Sequence, residues 1–359
     1  MKKIGRKVLF LKTNENCARN GEGDFIRLND NTIMLIYTDY SRGNCKDDHG
    51  DARLSAIFSC DEGETWGDKR VILTKDAGED NVMSVSLIRM KNGDIGLFYL
   101  QIGRDEDGNT KDSYLLRRSS DEGKTWGEAK VCIPDDSYHV VNNDRVVRLE
   151  NGRLIIPAAL HKTSGLTGYE PGIVSVFYSD DDGETWQESE RVYLPFENDE
   201  KGLQEPGVIQ REDGTVHMWL RTDLGFQFET FSSDMGEKWS AVQPNKYFSS
   251  PCSPMQIKRV GEKYTVAIFN PVPRIRVFGE LYKKGWGRTP YVCAVSLDGG
   301  LTFTKCFYLE DDLNESYCYP AIIEGNDYFM VAYYHSNGSG IPLNSLKILK
   351  IMYDELENE

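Results

Sequence analysis

Apolar positions in this chain alternate with polar ones over short runs, and nearly every run is stopped by a turn. GDFIRL leads through Asn-Asp-Asn to TIMLIYT and ARLSAIF; SVSLIRM, DIGLFYL and SYLLRRS follow, then DRVVRL, RLIIPAAL and GIVSVFY. The scheme continues as EPGVIQ, TVHMWLR and FQFETF, as SPMQIKRV, KYTVAIF and TPYVCAVS, and as YPAII, DYFMVAYY and LKILKIM. Runs of this length, rich in β-branched and aromatic residues and bounded by Asn-Gly, Asp-Gly and Asp-Asn, predict antiparallel strands joined by hairpins. Stretches with a helical period are scarce.

One turn recurs. Ser-x-Asp-x-Gly-x-Thr-Trp stands at residues 59–66, 119–126 and 179–186, with weaker copies at 232–239 and 296–303. The starts are 60, 60, 53 and 64 residues apart. A turn repeated at that period marks an array of one structural unit. The sixth unit has only three strands before the chain ends, and residues 7–11 (KVLFL) supply a fourth. The expected fold is therefore all-β: a six-bladed β-propeller of four-stranded antiparallel blades, its last blade closed by the N-terminal strand, with residues 1–359 forming one domain. An open array of β-sandwiches leaves the two incomplete ends unexplained. Within the turn the chemistry reads as structural. The Asp accepts backbone N–H groups, the Gly tolerates positive φ and the Trp packs beneath strands. One copy per blade is the wrong stoichiometry for a catalytic site, which draws different residues from different blades.

The formal net charge of −15 argues against nucleic acid or an anionic membrane as partner. An anionic small substrate would need a local arginine cluster. The eight cysteines show no Cys-x-x-Cys and no zinc-like spacing, so they read as buried small hydrophobes in a reducing compartment. The apolar run at residues 8–11 is shorter than the roughly 7–15 residues of a signal peptide, and no stretch approaches the ~20 of a membrane span. The expectation is a cytoplasmic protein.

In a propeller the inner strands of all blades start near one mouth of the central axis. Here those starts carry Glu22; Ser84 and Ser86; Asn142, Asn143, Asp144 and Arg145; Gln204, Glu205 and Pro206; Pro251, Cys252, Ser253 and Pro254; and Tyr317, Cys318 and Tyr319. Polar groups concentrated there mark a ligand pocket.

The five turns resemble the Asp-boxes of sialidase-type six-bladed propellers, and the resemblance covers essentially the whole chain. QEPGVIQREDGTVHMWLRTD is similar to the sialidase segment in which a Glu opens a blade and an Arg ends the next strand, which matches Glu205 and Arg221 to those roles. Arg288 stands eight residues before Ser296 of the fifth box, where sialidases place a substrate arginine. Tyr319 stands eight residues before Asp327, where they place a nucleophilic tyrosine. Asp48, eleven residues before the first box, resembles the acid/base aspartate.

The chemistry gives these residues a reason to occur together. A sialoside carries a carboxylate on its reacting carbon, which repels an anionic nucleophile. The family uses a neutral Tyr activated by an adjacent Glu. A free Tyr titrates near ~10, so it needs a base. The resemblance thus implies a retaining sialidase-like hydrolase with Tyr319 as nucleophile, Glu205 as its base and Asp48 as acid/base. It implies a glycan substrate and no metal or organic cofactor. Tyr317 competes with Tyr319, and Asp47 and Asp51 compete with Asp48. Arg288 sits near Lys283 and Lys284 in a stretch that also suits a solvated face. His49, His139 and His161 lie near site loops and read equally well as structural. The sialidase Phe/Tyr-Arg-Ile-Pro motif is missing: residues 18–25 read ARNGEGDF. Arg19 or Arg145 could supply the third arginine, with Arg27 too far along its strand. Asn143 and Asp144 complete the candidate substrate-binding set. Glu22 at the mouth is awkward for an anionic sugar and suits a polyhydroxylated or amino sugar.

Overall fold

Among the described residues six antiparallel sheets form the blades, each with its first strand innermost, and a two-stranded hairpin of Thr163–Ser164 and Gly168–Tyr169 stands beside them. The computed structural model describes all residues except 41–49, 109, 136, 162, 165–167, 170, 196–200, 274–286, 337–342 and 358–359. Blade 1 comprises Arg19–Arg27, Ile33–Tyr40, Ala52–Ser59 and Gly67–Thr74. Blade 2 comprises Asn81–Arg89, Ile95–Arg104, Thr110–Ser119 and Lys130–Val131. In blade 3 the inner strand is split into Tyr138–Val140 and Val147–Arg148, followed by Leu154–His161, Ile173–Ser179 and Gln187–Glu188. Blade 4 runs Gln204–Gln210, Val216–Arg221, Phe226–Ser232 and Gln243–Ser249. Blade 5 runs Gln256–Val260, Tyr264–Phe269, Tyr291–Ser296 and Lys305–Glu310. Blade 6 has Ser316–Glu324, Tyr328–Ser336 and Ser345–Met352, and Arg6–Leu11 from the N-terminus is its outer strand. The expected ring closure is found.

The core is six seams between neighbouring blades. Ile36, Leu54, Val85 and Leu97 fill the seam of blades 1 and 2, while Phe25, Leu35, Met330 and Ile348 fill that of blades 6 and 1. Each box aromatic packs into the seam with the preceding blade: Trp126 between blades 1 and 2, Trp186 between 2 and 3, Trp239 between 3 and 4, and Phe303 between 4 and 5. Trp66 closes the ring in the seam of blades 6 and 1, beside Val8, Leu9 and Leu11 of the N-terminal strand.

Inside the first box Asp61 Oδ1 accepts the Thr65 N–H at 2.8 Å, and Asp61 Oδ2 accepts the Thr65 hydroxyl at 2.5 Å. Ser59 Oγ donates to Asp61 Oδ1 at 2.8 Å and accepts the Gly63 N–H at 2.9 Å. The bonds from Thr65 and Ser59 hold the Asp61 carboxyl down at about 2, and the same pattern holds Asp121, Asp181 and Asp298 at about 2. The Ser, Asp and Thr side chains of the box thus bond within their own turn, as expected from its recurrence.

Strand register separates box from mouth. Arg19, Tyr40 and Ala52 are cross-strand neighbours at one end of blade 1, and Arg27, Ile33 and Ser59 at the other. The boxes therefore lie at the end opposite the inner strand starts. Beneath the mouth the axis is tied by polar staples. Asp24 accepts the Leu87 N–H at 2.7 Å, Asp144 accepts the Ile322 N–H at 2.9 Å and Lys258 Nζ at 2.7 Å, and Asn143 Nδ2 donates to the Gly23 carbonyl at 2.9 Å. These bonds link blades 1, 2, 3, 5 and 6 across the axis.

Candidate active site

Every inner strand start carries one non-glycine residue in the left-handed region: Glu22 (φ 50°), Ser84 (58°), Asp144 (53°), Glu205 (45°), Cys252 (65°) and Tyr319 (57°). In four blades the pairing register slips at that point, between Gly21 and Asp24, Met83 and Ser86, Gln204 and Gly207, and Cys318 and Ala321. Such a bulge puts two residues opposite one, bends the strand and re-aims a side chain. Holding a non-glycine residue in this conformation costs about 1–3 kcal/mol and persists where the surroundings over-determine it. The left-handed residue repeats on all six blades and the bulge on four, and the side chains set there (two Glu, Ser, Asp, Cys and Tyr) build the mouth.

Two of these residues meet. Tyr319 Oη donates to Glu205 Oε1 at 2.8 Å, bringing blade 6 to blade 4. Arg221 ends the second strand of blade 4, where it pairs with Gln204, and its Nη1 lies 2.6 Å from Glu205 Oε2. Burial alone would push the Glu205 carboxyl up, but Arg221, then Arg288 and the Tyr319 hydroxyl, outweigh it and hold the carboxyl below its ordinary value. Tyr319 moves the other way. Burial and the Glu205 charge raise its hydroxyl well above the usual phenol value against the pull of Arg288 and Arg221. At rest the pair is thus a neutral phenol donating to an ionised carboxylate.

Arg288 enters from blade 5, 5% exposed, with its guanidinium 5.5 Å from the centre of the Tyr319 ring and Nη1 3.1 Å from Cys318 Sγ. Arg221 Nε donates to Cys252 Sγ at 3.3 Å. Burial pushes the Cys318 thiol up to about 11, with Arg288 opposing, so it meets the arginine as a neutral acceptor. Each guanidinium thus makes one contact to a soft, weakly accepting sulfur, a weaker acceptor than a carboxylate.

The blade 1 wall is different. Arg19 Nη2 donates to Glu22 Oε1 at 2.9 Å and Nε to Tyr334 Oη at 2.8 Å. The guanidinium lies between two rings, 4.7 Å from Tyr40 and 5.0 Å from Tyr334. Ser84 Oγ donates to Glu22 Oε2 at 2.8 Å. Tyr334 meets the Tyr319 ring edge-on at 5.9 Å, so this wall packs directly on the dyad.

The other candidates sit elsewhere. Arg145 is 2% exposed beneath the mouth, donating to Gln256 Oε1 at 2.8 Å and the Met255 carbonyl at 2.7 Å beside Trp219. Asp144 and Asn143 act in the axial staples described above, Asn143 Nδ2 also lying 3.5 Å from the Tyr319 carbonyl. These three belong to the floor, because their polar atoms face neighbouring inner strands. Tyr317 packs with Tyr291, Tyr333 and His335 in an aromatic cluster away from Glu205. Asp51 pairs with Lys75, and Arg27 binds Glu62 at the far end of blade 1. His139 packs edge-on against Phe177, and His161 lies beside Tyr138 in blade 3. Asp47, Asp48 and His49, like Lys283 and Lys284, lie outside the described residues. Sequence reasoning missed the thiol contacts of Arg221 and Arg288 and the Arg19–Glu22–Ser84 wall. Their shared place at the inner strand starts was the available signal. Among the described residues no group of three or more His, Cys, Asp or Glu converges as a metal site, and no helix is long and apolar enough to cross a membrane.

Repeated boxes and six four-stranded blades define a six-bladed β-propeller of box-bearing repeats. The chain belongs to the BNR repeat-like domain family, which matches it over residues 24–332. It is 26% identical over 235 residues to a sialidase of Paraclostridium sordellii, covering 59% of this chain and 55% of that one. To a sialidase of Clostridium perfringens it is 27% identical over 241 residues, 60% of this chain and 59% of that one. The matched region thus spans little more than half of these relatives. The intramolecular trans-sialidase of Ruminococcus gnavus superposes with a TM-score of 0.74 at 14% identity, covering 98% of both chains, which speaks to the fold.

Proposed function

We propose that this protein is a retaining glycoside hydrolase of the sialidase type that removes terminal α-linked sialic acid or a related acidic sugar. The single observation that carries the reading is the 2.8 Å bond from the Tyr319 hydroxyl to Glu205, flanked by Arg221 and Arg288. Arg221 and Arg288 take the substrate carboxylate by charge-assisted hydrogen bonds, which fixes the anomeric carbon over Tyr319. Tyr319 Oη attacks that carbon while its proton passes to Glu205. The glycosidic bond breaks, and its oxygen takes a proton from a carboxylic acid, the role proposed for Asp48. Water, deprotonated by the same carboxylate, then displaces Tyr319 from the anomeric carbon, and Tyr319 recovers its proton from Glu205. Two displacements retain the configuration.

A neutral phenol suits this substrate because its carboxylate sits on the reacting carbon. Substrate binding also helps the base. Arg221 holds the Glu205 proton affinity down at rest. A substrate carboxylate that shares the Arg221 charge restores basicity to Glu205 as the nucleophile needs it. The similarity to clostridial sialidases supports the reaction class.

The test is hydrolysis of an aryl α-sialoside followed by proton NMR from the first minutes. The α-anomer should form first and mutarotate later. First appearance of the β-anomer would refute the double displacement, and binding of sialosides without turnover would make this a glycan-binding propeller.

A further inference from the structure

Blade 1 places a carboxylate at the bulge position that carries Glu205 on blade 4 and Tyr319 on blade 6. The backbone does not require one there, since blades 2 and 5 hold the same conformation with Ser84 and Cys252. Glu22 is 4% exposed and fixed on both oxygens, by Arg19 Nη2 at 2.9 Å and Ser84 Oγ at 2.8 Å. Its charge is felt at Tyr319, where it opposes loss of the phenol proton. It also faces a mouth that takes an anion. A buried carboxylate that hinders the nucleophile and repels the substrate's charge requires a compensating role in recognition.

The chemistry of the group indicates that role. An ionised carboxylate only accepts hydrogen bonds, and it accepts most strongly from hydroxyl and ammonium donors. The Arg19 charge is matched by Glu22, so the blade 1 wall adds little positive charge to the clamp. Arg221 and Arg288 are the pair that flank the dyad.

We propose that Glu22, oriented by Arg19 and Ser84, is the specificity-determining group of this mouth. The substrate would be a sugar acid whose carboxylate is taken by Arg221 and Arg288 and which presents a free hydroxyl or ammonium group to Glu22. The proposal rests on the sugar-acid reading above. It separates this chain from an enzyme that grips the carboxylate with three arginines. Capping or deleting that one donor should weaken binding sharply, because the acceptor sites of Glu22 that Arg19 and Ser84 leave open would lose water with no donor in return. Arg19 and Ser84 are positioning residues, acting through the carboxylate they hold.

Calorimetric titration of the full chain tests this. The probes are free N-acetylneuraminic acid, its counterpart with hydroxyl in place of the acetamido group, and deoxy forms of each lacking one ring hydroxyl. Wild type should bind the form that offers the donor about 10–100-fold more tightly than the form lacking it. Glu22→Gln should shrink that ratio to a few-fold, and Ser84→Ala, a milder change that guards against misfolding, should reduce it in the same direction. Arg288→Gln should weaken all probes together and leave the ratio unchanged. If the probes bind wild type and Arg288→Gln weakens them, but the ratio survives in both Glu22→Gln and Ser84→Ala, the Glu22 proposal is overturned and the clamp stands. If none of the probes binds wild type, the sugar-acid reading itself falls.

Discussion

Tyr319 Oη and Glu205 Oε1 lie 2.8 Å apart across the propeller axis, although 114 positions separate the two residues in the chain. The contact exists because blades 4 and 6 make the same inner-strand bulge and aim its side chain at the same mouth. Arg221, one strand further out in blade 4, completes the relationship by holding the other oxygen of Glu205.

Removing the base should show in kcat. Glu205→Gln keeps a hydrogen-bond acceptor beside Tyr319 but cannot take its proton, so kcat is expected to fall about 10²–10⁴-fold. KM should change far less. Steady-state kinetics on an aryl glycoside of the preferred sugar acid would check it, and a kcat within a few-fold of wild type would remove Glu205 from the mechanism.

The pH dependence follows from the sign of the Glu205 shift. Its carboxyl lies below its ordinary value when folded, so the ionised base persists to a pH below the ~4.3 of an unperturbed Glu. The same depression contributes stability above the unfolded value, lost as pH falls through the folded one. The acid limb of kcat/KM assigned to this base should therefore lie below about pH 4.3 in wild type. Arg221→Gln leaves burial unopposed by its nearest charge and should move that limb to higher pH. A limb that stays put in Arg221→Gln would assign it to another group.

Two buried arginines, Arg288 beside the dyad and Arg145 in the floor, should separate by phenotype. Arg288→Gln loses a charge that reaches the substrate and should raise KM, with a loss of about 1.5–3 kcal/mol in binding. Arg145→Met instead strands Gln256 Oε1 inside the floor and takes one of two donors from the Met255 carbonyl, which keeps Trp219 Nε1. Each unsatisfied group costs about 1–3 kcal/mol, so a drop in the unfolding midpoint is expected with KM little changed in the folded fraction. Denaturant titration alongside kinetics distinguishes the two. An Arg145→Met enzyme of full stability with a raised KM would move Arg145 into the clamp.

Much of this could be read from the sequence, for a physical reason. A turn that satisfies its own polar groups recurs wherever the blade recurs, so the five boxes reported blade count and strand register together. That register located Arg288 by its distance from the fifth box, while Tyr319 was placed by its distance from Asp327, and Glu205 and Arg221 by the hairpin between them. It could not say that Arg145 turns down into the floor or that Glu22 takes Arg19 as its partner. Those outcomes depend on which way a bulged side chain is aimed and on neighbours from other blades. Tyr317 and Tyr319 are two residues apart and differ in exactly this respect: one packs with Tyr291 and Tyr333, the other reaches Glu205.

The boxes should matter for stability and leave catalysis alone. Ser59→Ala removes the hydroxyl that serves both Asp61 and the Gly63 N–H, which is expected to destabilise the fold by about 1–3 kcal/mol. KM and kcat should be unchanged at 25 °C. The Asp61 carboxyl, held at about 2, contributes stability above its unfolded value of ~3.9 and loses it as pH falls toward the folded one. Acid unfolding followed by circular dichroism should therefore differ between wild type and Asp61→Asn above pH ~4 and converge as the carboxyl protonates. A change in kcat from Ser59→Ala would contradict a purely structural box.

The nucleophile is the central claim, and Tyr319→Phe measures it most directly. Wild type, Tyr319→Phe and Tyr317→Phe would be compared on aryl α-glycosides of sialic acid and related sugar acids. The expected result is turnover by wild type, retention within a few-fold in Tyr317→Phe, and at least a 10³-fold loss of kcat in Tyr319→Phe with the sugar still bound. Turnover by Tyr319→Phe within a few-fold of wild type would contradict it.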